Sequence, residues 1–230
     1  MAVCAAAIFL EESKPNKLTH ENEILQIDES SVSTWSIIKD SGNRLLIVQY
    51  VLHTAGVSWS TFLFPLWVGS LLSWGPSEVG VVFGVVGGIM VLTQGFILGP
   101  IVRMIGEINL LRLGVTNFFL GILMASLAKG PIFMVASVLI ALTGATLCMP
   151  LLNTITSFRT PAKFRGRILG TTSSAAAWGR VIGPMLASAV LPLVGFNGAW
   201  FVCALLISIY LGWSLLILSQ RNHDKMGSIS

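Results

Sequence analysis

A chain of 230 residues with 54% hydrophobic and only 10% charged side chains, at mean hydropathy +0.81, carries less than half the charge of a soluble domain, about 25%. Lipid is its predicted second solvent. The formal charge of +4 does not indicate nucleic acid, because the basic residues sit singly between apolar runs with no basic stripe and no interleaved aromatics. Cys4, Cys148 and Cys203 stand far apart inside apolar segments, with no CxxC pair or His-Cys cluster, so no metal centre or disulfide framework is predicted.

In chain order, "MAVCAAAIFL" (1–10) is too short to span and lacks the basic start of a signal peptide, and it reads as the tail of an earlier helix whose beginning is missing. Residues 11–44 form a polar linker, predicted cytoplasmic, with few large apolar residues over 11–34. Trp35, Ile37 and Ile38 are placed to rest in a membrane interface. A bilayer core of about 30 Å needs about 20 apolar residues per helix. Six segments qualify: 45–73, 78–101, 109–128, 131–156, 167–193 and 197–219. Their separators are turn or charge signals: Trp74-Gly75-Pro76, the stretch from Gly99 to Glu107, Lys129-Gly130-Pro131, 161–167 and Gly195-Phe196-Asn197-Gly198. The predicted fold class is an all-α polytopic membrane protein with a six-helix bundle over 45–219 and a tail at 220–230.

The basic residues test that count independently. Six spans put both termini and the second and fourth loops on one side, which then holds twelve of the fourteen Lys and Arg residues. Lys129 stands alone opposite, and Arg180 falls inside a span. The positive-inside rule makes the rich side cytoplasmic.

In the first span Gln49, His53, Gly56 and Ser60 share one helical face. His53 lies nine residues past Arg44, about 13 Å deep at 1.5 Å per residue. An ionisable group there marks a cavity or pathway, or is a neutral histidine hydrogen-bonded to a neighbouring helix. Gln94, at similar depth, is a second candidate for a cavity wall. Thr143, Thr146, Pro150, Asn153 and Ser157 form a polar stripe in the fourth span. Pro150 frees backbone groups that need cavity water or a hydroxyl partner, unless the threonines simply bond back within their own helix. Small residues at Gly166, Gly170, Gly179 and Gly183, and at Gly80, Gly84, Gly88, Gly95 and Gly99, suit close helix approach. Arg180 sits thirteen residues beyond Arg167, too deep to snorkel easily. It needs backbone carbonyls or a partner that this chain does not encode. No GxSxG, HExxH or P-loop is present, so no enzyme chemistry and no cofactor is predicted.

"GPIVRMIGE" (99–107) between the second and third spans resembles the loop signature of the major facilitator superfamily, in its second-half copy. "PAKFRGRILG" (161–170) with "GRVIGP" (179–184), and "WGPSEVG" (74–80), resemble the drug transporters of the tetracycline-resistance type. The likeness covers about residues 1–219. It implies a secondary transporter of small organic solutes, export-type and proton-coupled, seen as its carboxyl-terminal half, in the plasma membrane. Gly99, Arg103, Gly106, Glu107 and Arg112 would be its gating loop, although Arg103 replaces the family's usual acid. Gln49, His53, Ser60, Gln94, Asn153 and Arg180 would line one cavity wall. The first-half bundle, or a second copy of this chain, would supply the other wall. A half-bundle that only packs against relatives is the alternative from another class.

Overall fold

The computed structural model describes residues 41–160 and 164–227, and they form helices joined by short turns. The expected stump at 1–10, the linker as far as residue 40 and the end of the tail at 228–230 lie outside the described residues. In lipid every backbone polar group must pair internally, which favours helices over open strands.

Helix α1 spans Ser41–Leu72 and carries Pro65. Trp74-Gly75-Pro76 turns the chain into α2, Pro76–Leu92, with Pro76 at its first position and the Glu78 carboxylate accepting from Gly75 N–H at 2.9 Å. A π-helical turn, Thr93–Ile97, leads into α3, Leu98–Ile105. The helical path therefore continues through Gly99-Pro100, where the sequence suggests its end, and reverses only at Gly106. Pro100 has no N–H for the carbonyl of Phe96, and its ring crowds that turn, so the widened turn directly before it has a physical cause. Helix α4 spans Glu107–Leu127 and α5 Pro131–Arg159, the latter with Pro150 inside. Helix α6, Arg165–Gly227, is two helical limbs meeting at Gly195, where φ 69 and ψ −178 leave the helical region. Its second limb runs on through much of the expected tail.

Five helical paths among the described residues are long and apolar enough to cross a membrane. The fifth, Arg165–Gly212, has 48 residues, about 72 Å of helix against a core of about 30 Å. The kink at Gly195 divides it.

Helix α1 packs chiefly on α6, and α4 on α5 and α6, while α2 touches α5 from outside. Close approach needs missing side chains. A Cβ at Gly144 would stand 2.7 Å from the Gly114 carbonyl, and one at Gly121 would strike the Ala141 backbone, so α4 and α5 meet nearly backbone to backbone. Gly179 and Gly183 do the same against Val51, Thr54 and Ala55 of α1. The glycines of α2 behave otherwise: Gly80, Gly84 and Gly88 face open space, as do Gly95, Gly99, Gly166 and Gly170.

Two apolar clusters fill the interior, one around Trp59, Trp67, Phe118 and Trp200, the other around Tyr50, Leu111, Cys148 and Tyr210. Large apolar side chains also cover the outside, with Ile132 and Leu193 about four-fifths exposed at 80% and 81%. Such a surface suits lipid and would aggregate in water.

Candidate functional site

A polar groove of about 510 Å³ opens between α5 and the first limb of α6, lined by Asn153, Thr154, Ser157, Phe158, Leu169 and Ser173. Two further grooves, about 420 and 450 Å³, lie at the opposite end beside Trp74 and are walled mainly by apolar side chains. The polar groove has a built floor. The buried Tyr50 hydroxyl donates to Asn153 Oδ1 at 2.7 Å and lies 3.4 Å from Thr156 Oγ1. Tyr50, Asn153 and Ser173 each stand six residues from a basic residue, Arg44, Arg159 and Arg167, so all three lie about 9 Å inside the same edge. At that edge Arg165 Nε donates to the carbonyls of Ser157 and Thr160 at 2.9 and 3.3 Å, capping the end of α5.

The polar stripe of α5 is the face that its neighbours leave open: Thr143, Thr146, Pro150 and Ser157 are half-buried and Asn153 exposed, while Leu142, Ala145, Cys148 and Leu152 are buried. Thr143, Thr146 and Thr154 donate back to the carbonyls of Leu139, Thr143 and Pro150. Pro150 leaves the Thr146 carbonyl without its helical donor, and an unpaired buried carbonyl costs about 1–3 kcal/mol. Gln94, in the π turn, fills the gap: its Nε2 donates to Thr146 O at 3.1 Å.

Arg180 is exposed and has no hydrogen-bond or ion-pair partner among the described residues. It shares an exposed helical face with Ala177, Ser173 and Gly170, and so stands on the line that continues the groove inward. It is about 20 Å from the basic edge by residue count. An arginine facing lipid at mid-helix costs about 2.5–3.5 kcal/mol, enough to require a polar or wet surrounding. The only acids from 41 to 223 are Glu78 and Glu107, each at a helix start far from this level.

The other expected wall residues lie elsewhere. Gln49, His53 and Ser60 share one face, as their spacing implies, but it is turned into the bundle and each is at most 2% exposed. Ser60 donates to the Gly56 carbonyl of its own helix. His53 sits at the seam of the two apolar clusters, its ring 6.0 Å from Phe118 and 5.9 Å from Tyr210, with Nδ1 unpartnered. The structure thus brings Asn153 to the groove, sets Arg180 above it, gives Gln94 a backbone partner and buries the remaining three.

In the loop, Gly99 and Arg103 are exposed on α3, and Gly106 turns the chain at φ 80 and ψ 156. Glu107 opens α4, where a negative charge suits the helix start. No ion pair joins Glu107 to Arg103 or Arg112 among the described residues, and the buried Nε of Arg112 has no partner. Asn109, which sequence reasoning passed over, donates to Ile105 O at 2.9 Å across the turn. Tyr50 was missed as well. A signal existed, since the chain has two tyrosines, both falling within predicted spans. No group of His, Cys, Asp or Glu among the described residues could hold a metal ion.

The family model of the Major Facilitator Superfamily matches residues 1–184 and, again, 46–228. Among solved structures, the human organic anion transporter MFSD10 (TETRAN) superposes with TM-score 0.70 at 18% identity, a likeness in fold. The match covers 79% of this chain and 44% of that one, so the chain spans less than half of its structural neighbour. No curated protein sequence matches the chain.

Proposed function

The chain belongs to the Major Facilitator Superfamily of membrane transporters, and we propose that it acts as the second half of a secondary transporter, with the groove and Arg180 as its wall of the solute pathway. It is a multi-pass integral membrane protein, and in this reading it crosses six times, α6 twice about Gly195. Asn153 and Ser173 would bind polar groups of the solute near the basic edge. Arg180 would meet a negative charge farther in, so the solute class is a small organic anion. The observation that carries this is the unpartnered guanidinium on an open face. The named cargo of the MFSD10 neighbour agrees with it.

The finer features belong to the same proposal: a tetracycline-resistance-like relationship, proton-coupled export, a plasma-membrane location and both termini cytoplasmic. The opposite wall comes from a first-half bundle or a second copy of this chain. The solute would reach the groove from the basic side in one state and from the far side in the other.

The test is flux of radiolabelled benzenesulfonate, which stays charged, into vesicles carrying the native protein. Arg180→Gln should cut flux at least tenfold with unchanged abundance, roughly the 1.4 kcal/mol or more of one lost charge-assisted contact. Arg180→Lys should keep a measurable part, and Asn153→Ala should lose a few-fold. A pH gradient should drive the flux and a protonophore collapse it. Wild-type flux from Arg180→Gln would contradict the site. A second reading, a half-bundle that serves to pack against a relative, draws on the open glycine face of α2. It predicts loss of abundance, not flux, from the same substitutions.

A further inference from the structure

Two irregular turns face one another across α2 and α5. One is the π turn Thr93–Ile97; the other is the turn of α5 before Pro150, where the proline removes one helical hydrogen bond without interrupting the helix. A single side chain joins them, since Gln94 of the first donates to the carbonyl of Thr146, the one deprived of its donor by the second. We infer that Gln94 and Pro150 form a releasable clamp, at which α2 and α5 bend together as the solute pathway opens and closes. The clamp is read from geometry alone; its part in the pathway rests on the transporter reading above.

The pairing is chemically selective. The hydroxyls of Thr143, Thr146 and Thr154 are already turned to Leu139, Thr143 and Pro150 and do not serve the Thr146 carbonyl. Gln94 owes its place to the π turn, where the chain takes an extra residue per turn and the Leu98 N–H reaches back to Thr93 O. The tie also matters mechanically. Val82 is the only buried side chain of α2, and Gly95 within the π turn and Gly99 just after it face open space. Little packing at this level resists bending once the clamp lets go. One half-buried neutral hydrogen bond suits repeated release, because water entering an opened pathway replaces it at small cost.

The test is a double-mutant cycle on the whole chain in lipid nanodiscs, read by hydrogen–deuterium exchange over 90–100 and 143–153. Gln94→Met keeps the side-chain length and removes the donor, and exchange should rise about fivefold in both segments, the worth of one ordinary hydrogen bond. Pro150→Ala restores a helical donor to Thr146, so Gln94→Met added to it should leave 143–153 unchanged. Undisturbed exchange in Gln94→Met would overturn the clamp, as would an equal rise with and without Pro150. Should Gln94→Met fold poorly, Gln94→Leu in the Pro150→Ala background takes its place, and poor folding there too counts against the clamp. In the benzenesulfonate assay Gln94→Met should change maximal flux and leave half-saturation unmoved. A shifted half-saturation would make Gln94 a solute contact instead. Coupled exchange with wild-type flux would keep the hydrogen-bonded tie and overturn its part in the pathway. Coupled exchange in a protein that carries no flux even as wild type would sink the transporter reading alone.

Discussion

At the scale of single residues, glycines separate two kinds of surface that look alike in the sequence. Gly121 and Gly144 leave no room for a side chain between α4 and α5, whereas Gly84 and Gly88 of α2 leave nothing but room. Gly144→Leu and Gly121→Val should therefore abolish folded protein in detergent size-exclusion profiles, since overpacking at a backbone contact costs about 1–3 kcal/mol or more. Gly84→Ala and Gly88→Ala should elute like wild type. Spacing alone could not sort them. A small residue recurring every fourth position marks a helix face, but which neighbour covers it is decided by tertiary packing. The first-span face of Gln49, His53 and Ser60 teaches the same lesson. Its periodicity is correct, and polarity suggested an open wall, yet that face is turned into the bundle, where His53 meets Phe118 and Tyr210. The stripe of α5 was legible because two signals coincided there, hydroxyl periodicity and a proline.

At the scale of elements, the turns follow glycine chemistry closely. Gly106 (φ 80, ψ 156) and Gly195 (φ 69, ψ −178) both occupy a region that is essentially closed to side-chain-bearing residues. Gly106→Ala and Gly195→Ala should each lose about 1–3 kcal/mol, seen as lower melting temperatures in detergent. Gly130→Ala, with extended backbone and open space around it, should not. Both turns were visible as glycine-bearing separators. What the sequence misplaced was the break at Gly99-Pro100. Proline in lipid need not end a helix when a π turn re-pairs the backbone before it, and a π turn has no sequence signature to read.

At the scale of the molecule, composition was enough to name the solvent, and apolar length was enough to find the long helices. The chemistry of the site was less legible, because it depends on which faces remain open once six helical segments have packed. Tyr50 and Asn153 are 103 positions apart and meet only through the fold. The central claim is that the open polar face borders water and solute, not lipid. In vesicles, with Cys4→Ser as background and the native Cys148 and Cys203 fully buried, the decisive measurement is labelling of Ser173→Cys by a membrane-impermeant maleimide. The account predicts rapid labelling from the basic side, slowed by benzenesulfonate, while Leu120→Cys on the outer face of α4 stays unmodified. Inertness of Ser173→Cys from both sides would place that face in lipid and contradict the account.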